Sequence, residues 1–249
     1  MSRTLIWFSA GAASAVAAKL VLDEGHDNVV VAYTDPGSEH PDNVRFLAEC
    51  EMWFGHEIVR LRSAQYVDTW QVWAETRFLV SPAGARCTAE LKKKVRFGFQ
   101  LPDDVQVFGY TAEEEARANR FRQQNPDVDL RTPLIERGVT KAQCLGVITS
   151  AGIELPAMYQ LGYRNNNCIG CPKGGMGYWN MIRRDFPDTF YRMARLERDL
   201  NHTVLREEIP DQPGRKTRPV WLDELDPERG NMLTEPDIEC SILCASGDQ

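Results

Sequence analysis

Residues 4–14 read TLIWFSAGAAS, an apolar run that passes directly into a stretch of small residues. The run Thr4–Phe8 is typical of a short buried β-strand. Ser9–Ser14 contains only Ser, Ala and Gly, so its backbone can approach a ligand closely. Ala12–Leu22 is rich in alanine and has almost no polar face, which predicts a helix packed on both sides. This stretch therefore predicts a strand, a tight loop and a helix.

The alternation of strand and helix continues through the first half of the chain. Strands are predicted over Asn28–Tyr33, Glu57–Leu61 and Val105–Tyr110, and a helix over Asn43–Phe54. Short strands separated by helices predict an α/β fold, a mostly parallel sheet with helices on both faces. Right-handed crossovers place the carboxyl ends of such strands along one edge, where ligands bind. The loops after Phe8, Tyr33 and Tyr110 are therefore candidate ligand-binding loops.

The second half of the chain is less regular and more helical. Two helices are predicted on either side of Pro187, and they complete a helical, cysteine-bearing C-terminal portion. Ile209–Asn231 is rich in Pro, Gly and charge, which predicts a mobile arm. We therefore expect one domain over residues 1–200 and a C-terminal arm over residues 201–249.

Composition limits the classes of protein and partner. The 249 residues include 36 acidic and 29 basic side chains, a formal net charge of −7, so non-specific coating of nucleic acid is not expected. A local basic patch stays open as an alternative. No apolar run reaches the ~20 residues that span a bilayer, and the N-terminus lacks the basic region of a signal peptide. These features predict a cytoplasmic protein without a membrane partner.

Two loops carry the polar groups suited to a phosphorylated ligand. Ser9, Gly11 and Ser14 combine hydroxyl donors with the free N–H groups and partial positive charge of a helix N-terminus. An ordinary tight turn between strand and helix is the alternative. Thr34 and Asp35, followed by Gly37, could hold a ribose, a metal or a phosphate, or could simply form an Asx turn.

The seven cysteines are an odd number, so they cannot all pair within the chain. Cys168 and Cys171 form a CxxC pair, which suits a metal on one tight turn. Cys87 is predicted at the start of a helix, beside the lysines of 92–94, in a setting that favours thiolate. Three nearby thiolates favour an iron–sulfur cluster or zinc. Reduced thiols on the surface are the alternative.

Two further groups complete the candidate sites. Cys240 and Cys244 lie on the predicted arm, where a cysteine could swing over a substrate and attack it, complete a metal site, or belong to a disordered tail. Arg117 and Arg164 could bind phosphate bidentately, although each could equally be a surface cation.

In their order along the chain, these motifs resemble the phosphoadenosine phosphosulfate (PAPS) reductase family of the PP-loop, or adenine-nucleotide α-hydrolase-like, group. The resemblance covers about residues 4–200. Phe8–Ser14 stands where the family has its pyrophosphate loop, and Thr34–Pro41 where it has its "DTG…P" segment. Cys87–Lys94 resembles the family's cysteine-and-lysine helix, and Gly109–Arg117 its Gly–Arg–acidic region. Pro133–Tyr163, with the CxxC pair, resembles its "PL…Y…G…CxxC" stretch.

The resemblance implies a Rossmann-like sheet that binds an adenine nucleotide, whether ATP, PAPS or adenosine phosphosulfate (APS). The phosphates would lie at Ser9, Gly11 and Ser14. Cys240 would correspond to the mobile cysteine that attacks the sulfate sulfur in sulfonucleotide reductases and is regenerated by a thioredoxin-like reductant. The sequence here is ECSILC, which departs from the family's ECG-type ending.

The cysteine pattern keeps other functions open. The iron–sulfur members of the family use a CC pair plus CxxC, whereas this chain has Arg86-Cys87. A [4Fe–4S] cluster on three cysteines resembles that of PP-loop enzymes that thiolate nucleic acid with ATP, although those usually carry Asp where this chain has Ala13. A non-catalytic accessory protein is a third reading. Zinc is the alternative metal, and a homodimer is left open.

Overall fold

The computed structural model describes residues 2–81, 84–209 and 216–238. Five parallel strands form the central sheet, in the order β3-β2-β1-β6-β7. Two short antiparallel pairs, β4 with β5 and β8 with β9, lie outside this sheet. The strands are β1 (Thr4–Phe8), β2 (Val29–Thr34), β3 (Ile58–Leu61), β4 (Val80–Ser81), β5 (Gly84–Ala85), β6 (Val105–Phe108), β7 (Asp129–Arg131), β8 (Leu205–Glu208) and β9 (Thr217–Val220).

The helices connect these strands and form the C-terminal portion. They are α1 (Ala12–Leu22), α2 (Asn43–Phe54), α3 (Thr69–Thr76), α4 (Arg86–Thr88), α5 (Lys94–Phe99), α6 (Glu115–Gln124), α7 (Pro133–Glu136), α8 (Lys141–Ser150), α9 (Ala157–Gln160), α10 (Met176–Asp185) and α11 (Pro187–Leu200). A π-helical turn, Ala89–Lys93, joins α4 to α5, and 3₁₀ turns occur at Ala112–Glu114 and Leu222–Glu224. No helix in the described part of the chain is long and apolar enough to cross a membrane.

The central strand β1 is buried on both faces, which explains its continuous apolar sequence. Successive side chains of a strand point to opposite faces of the sheet. Ile6 and Phe8 pack in the core with α1, α2 and α8. Leu5 and Trp7 pack on the other face with Phe121 of α6. The prediction of a Rossmann-like α/β fold with helices on both faces is confirmed.

The strand order creates a switch point beside β1. The chain moves from β1 to β2 on one side and returns to β6 on the other side. The loops that follow β1 and β6 therefore separate at the carboxyl edge of the sheet, which opens a crevice there. Strand β7 was not predicted, because Asp129–Arg131 is only three residues long and carries two charged side chains.

The C-terminal portion packs around a second core. Trp179, Phe190 and Met193, from α10 and α11, bury against Trp73 of α3. The arm predicted over Ile209–Asn231 is more regular than expected in its described residues, because Thr217–Val220 pairs with β8.

Gly109, just after β6, lets the edge of the sheet approach the first turn of α1. A Cβ atom at this position would lie 2.6 Å from the Cα of Ser14. We expect Gly109→Ala to lower the free energy of unfolding by roughly 1–3 kcal/mol, since the added methyl group pushes the end of β6 away from the first turn of α1. Urea unfolding measures this change. Gly98→Ala is the matched control, because its Cβ would meet nothing within 4 Å in helix α5; equal losses in both variants would contradict the prediction.

Candidate functional site

A cleft of about 1010 Å³ opens at the carboxyl edge of the sheet, beside the switch point. Its walls come from the loops after β1 and β6, from α8 and α9, and from the segment that precedes the CxxC pair. The cleft brings together six of the eight residues predicted to bind a nucleotide. These six residues are Ser9, Gly11, Ser14, Thr34, Arg117 and Arg164.

Hydrogen bonds between two serines close the loop after β1. The Ser9 backbone N–H donates to Ser14 Oγ over 3.0 Å, and the two hydroxyl oxygens are also 3.0 Å apart. Ser14 Oγ donates to the Gly11 carbonyl over 2.9 Å. Between them Ala10 has a φ of +54°, a left-handed conformation that alanine rarely adopts. The loop is a tight cradle at the N-terminus of α1, where a phosphoryl group would be stabilised.

Asn166 holds this cradle from the other side. Its Nδ2 donates to the Ala10 carbonyl over 2.7 Å and to Asn43 Oδ1 over 2.8 Å. The residue is only 7% exposed and lines the cleft. Both donor bonds are buried, where leaving an acceptor unpaired costs about 1–3 kcal/mol. Asn166 therefore stabilises the unusual backbone of Ala10.

A buried polar network continues behind Asn43. The Glu39 carboxylate accepts hydrogen bonds from the Tyr33 hydroxyl (2.7 Å) and from Asn43 Nδ2 (2.8 Å), and Lys92 Nζ lies 3.4 Å from its other oxygen. Burial raises the pKa of Glu39, while the nearby Lys92 ammonium and the two hydrogen bonds oppose that shift. Lys92 belongs to the π-helical turn and also lines the cleft. Such turns are frequent at functional sites.

Tyr159 was not predicted and lies directly beside the loop after β1. Its hydroxyl would be 3.4 Å from a Cβ at Gly11. Burial raises the pKa of Tyr159 to about 12, and the backbone N–H groups of Ala12 and Asn166 partly oppose this shift. The tyrosine therefore stays a neutral hydroxyl at the helix N-terminus, able to donate to an anionic ligand.

Asp35 and Gly37 lie outside the cleft lining, although the sequence predicted them to bind a nucleotide. Asp35 accepts the Gly37 N–H over 2.8 Å and pairs with Arg62. Gly37 has a φ of +68°, and a Cβ there would lie 2.0 Å from the Val67 carbonyl oxygen. The alternative of an Asx turn describes this loop, and only Thr34 reaches the cleft.

Cations line the cleft beyond β6. Arg117 pairs with Glu114 and lies over the Tyr110 ring, 5.2 Å from its centroid. Arg120, one helical turn further along α6, is exposed and forms no ion pair within the described residues. Lys141 begins α8, and burial lowers its pKa. These side chains favour an anionic ligand over a neutral one.

The CxxC pair forms a tight turn around a tyrosine hydroxyl. The Cys171 backbone N–H donates to the Tyr178 hydroxyl over 2.8 Å, and that hydroxyl donates to the Cys168 carbonyl over 3.2 Å. The Ile169 N–H inside the turn donates to the Ser38 carbonyl over 2.9 Å, which ties the turn to the loop after β2. Gly170 has a φ of +76°, as the turn requires.

Cys87 and Cys171 belong to the same large buried cluster of the second core. Cys87, Cys168 and Cys171 are all at least nine-tenths buried. Within residues 2–81, 84–209 and 216–238, however, no group of three His, Cys, Asp or Glu side chains is arranged to hold a metal ion. The described donors do not complete a metal site, so the iron–sulfur cluster and its zinc alternative stay predictions.

The last described segment reaches the cleft through Asp237 and Ile238. We call residues 226–238 the strap. Arg164 Nη1 donates to the carbonyls of Glu235 (2.6 Å) and Met232 (3.4 Å), and Asn167 Nδ2 donates to that of Ile238 (3.1 Å). The Glu235 carboxylate accepts N–H groups at the start of α10, a favourable place for negative charge. Cys240 and Cys244 lie outside the described residues.

Several lining residues were missed by sequence reasoning. They are Lys141, Tyr159, Asn165, Asn166 and Asp237. The run Asn165–Asn167, immediately before Cys168, was the available signal. Three consecutive amides beside a cysteine turn suggest buried hydrogen bonds, but nothing in the sequence indicates their partners.

We expect Asn166→Ala to weaken the binding of adenosine 5′-monophosphate by at least about tenfold, because the Ala10 and Asn43 oxygens lose their donor and the cradle relaxes. Isothermal titration calorimetry measures the dissociation constant. Asn119→Ala is the control, since Asn119 is exposed, accepts a hydrogen bond from Arg122 and is not among the residues that line the cleft. Unchanged affinity in the folded Asn166 variant would show that this side chain does not hold the cradle.

No family model matches this chain, and no curated protein gives a significant match. These comparisons therefore leave the function open. The site geometry and the resemblance of the motifs are the grounds for the proposal that follows.

Proposed function

We propose that the chain binds an adenine nucleotide in the cleft and reduces a sulfonucleotide, PAPS or APS, with Cys240 as nucleophile. One observation carries the proposal. The strap brings Ile238, two residues before Cys240, to the lining of the same cleft that contains Ser9, Gly11 and Ser14. Attack by a thiol on a nucleotide-bound sulfate requires a site for the phosphate and a nearby cysteine. The cradle would supply the first, and the segment that leads into Cys240 would supply the second.

The phosphate end of the cleft supports this proposal. The cradle offers the N-terminus of α1 and the hydroxyls of Ser9 and Ser14 to a phosphoryl group. Lys92 faces the same space and adds a cation held in place by Glu39. In the proposed reaction the 5′-phosphate is the leaving group. Groups that stabilise its growing charge would lower the barrier to sulfur–oxygen bond cleavage.

The proposed chemistry has two steps. The Cys240 thiolate attacks the sulfate sulfur, so a sulfur–sulfur bond forms, the bond from sulfur to the phosphate oxygen breaks, and the nucleotide 5′-phosphate leaves. A dithiol reductant of the thioredoxin class then attacks Cys240 Sγ and releases sulfite. The reductant ends as a disulfide, and the cysteine returns as thiolate. A cytoplasmic, reducing location fits this requirement and is part of the proposal.

The alternative is an ATP-dependent sulfurtransferase acting on a nucleic acid. Its motivation is the set of three cysteines. Ala13 lines the cleft at the start of α1, where the resemblance gives ATP-activating PP-loop enzymes an Asp. We therefore favour reduction over ATP cleavage. Release of AMP and pyrophosphate from ATP would favour the alternative.

We expect Cys240→Ser to lower the rate of sulfite formation from PAPS or APS by at least about a thousandfold, because the oxygen replaces the only nucleophile in the proposed first step. Sulfite release with a thioredoxin reductant is the assay. Affinity for adenosine 5′-monophosphate should stay within twofold, since the cradle is unchanged. Cys244→Ser is the matched control and should retain activity. Sulfite formation by the Cys240 variant at the wild-type rate would reject the mechanism.

A metal remains part of the proposal as a prediction from the resemblance, with Cys87, Cys168 and Cys171 as ligands. Protein purified anaerobically should contain iron and acid-labile sulfide in equal amounts, and Cys171→Ser should lower both. Zinc without sulfide would select the alternative metal. The Cys50→Ser variant is the control, since Cys50 belongs to α2 and is buried in the other core. Protein with neither metal would remove the cofactor without affecting the nucleotide proposal.

A further inference from the structure

A carboxylate of the strap occupies a cationic site inside the cleft. Asp237 Oδ1 lies 3.0 Å from Arg164 Nε, and Asn165 Nδ2 donates to it over 3.4 Å. Asp237 Oδ2 lies 4.0 Å from Lys141 Nζ. The Asn165 amide oxygen accepts from Lys141 over 2.7 Å, which fixes that ammonium beside the arginine. All four residues line the cleft.

These groups converge from separate parts of the chain. Lys141 is the first residue of α8, Arg164 and Asn165 follow α9, and Asp237 comes from the strap. Two cations and an amide N–H around one carboxylate form a site suited to an anion. The site is distinct from the cradle at Ser9–Ser14, although both open into one cleft.

We propose that Arg164, Lys141 and Asn165 form a second anion subsite, which Asp237 fills until a second anionic group of the ligand displaces it. The inference rests on the proposed function only for the adenine part of that ligand. The ligand class is an adenine nucleotide with two anionic groups, one on the cradle and one on this subsite. A phosphoryl group carries more charge and more acceptor oxygens than a carboxylate, so it can displace one.

Displacement also affects the strap. Arg164 binds Asp237 through Nε and the carbonyls of Met232 and Glu235 through Nη1. A ligand that binds Arg164 therefore competes with the strap for the same guanidinium group. Binding at the subsite is thereby coupled to release of the segment that leads to Cys240.

The test is calorimetric titration of the full chain with three nucleotides. Adenosine 5′-monophosphate has one anionic group, ADP has two in one chain, and adenosine 3′,5′-bisphosphate has two across the ribose. We expect Asp237→Asn to tighten the binding of at least one two-group ligand by about three- to tenfold, with less than a twofold change for the monophosphate. Whichever two-group ligand responds identifies the position of the second group.

Two further variants make the result decisive. Asp226→Asn removes the same charge from the strap at a residue outside the cleft lining, and all affinities should stay within twofold. Lys141→Met in the Asp237→Asn background should weaken two-group binding about tenfold. Equal effects of Asp237→Asn on one-group and two-group ligands, or no effect on either, would overturn the subsite.

A pyrophosphate titration separates this inference from the proposed function. If no adenine nucleotide binds but pyrophosphate binds more tightly to the Asp237→Asn variant than to the wild type, the subsite stands and the proposed function fails. If pyrophosphate shows no such difference in that case, the subsite is rejected as well.

Discussion

The hydrogen bond from Asn166 to the Ala10 carbonyl joins the two halves of the molecule at the cleft. Ala10 has a left-handed backbone that costs free energy in a residue with a Cβ, so a partner must stabilise it. Asn166 lies two residues before Cys168, so the same side chain fixes the cysteine turn relative to the cradle at Ser9–Ser14. The Ile169 N–H to the Ser38 carbonyl provides a second tie between turn and sheet edge. The geometry of the cleft depends on both.

The neighbouring asparagines extend this arrangement to the other walls. Asn165 binds Lys141 and Asp237, Asn166 binds the cradle, and Asn167 binds the Ile238 carbonyl. Three consecutive amides therefore contact α8, the loop after β1, and the strap. A short run of sequence links the cradle at Ser9–Ser14 to the strap, which precedes Cys240 in the sequence. Any movement of this run changes all three contacts together, because the three amides are consecutive in the chain.

The sequence predicted the elements whose apolar pattern is continuous, and it failed where the determinants are long-range. Thr4–Phe8, Ala12–Leu22 and Asn43–Phe54 occur as predicted, because local composition decides a buried strand and a packed helix. Six of the eight residues predicted to bind a nucleotide line one cleft, since parallel strands end at a common edge. Asp35 does not line the cleft, because its carboxylate accepts the Gly37 N–H in an Asx turn. Tyr159 and Asp237 were missed, since only the packing of distant segments brings them to the site.

The charge distribution explains how an acidic chain can favour a small anion. The net charge is −7, yet the cleft contains Lys92, Arg117, Arg120, Lys141 and Arg164. Several of these cations face a carboxylate of the same cleft, as Arg117 faces Glu114 and Arg164 faces Asp237. Such pairs limit the long-range attraction for a polyanion, whose binding requires many unscreened cations along a surface. A compact ligand that replaces one carboxylate contacts the same cations at short range, where electrostatic attraction is strongest. The same pairing supports the proposed nucleotide ligand over a nucleic acid.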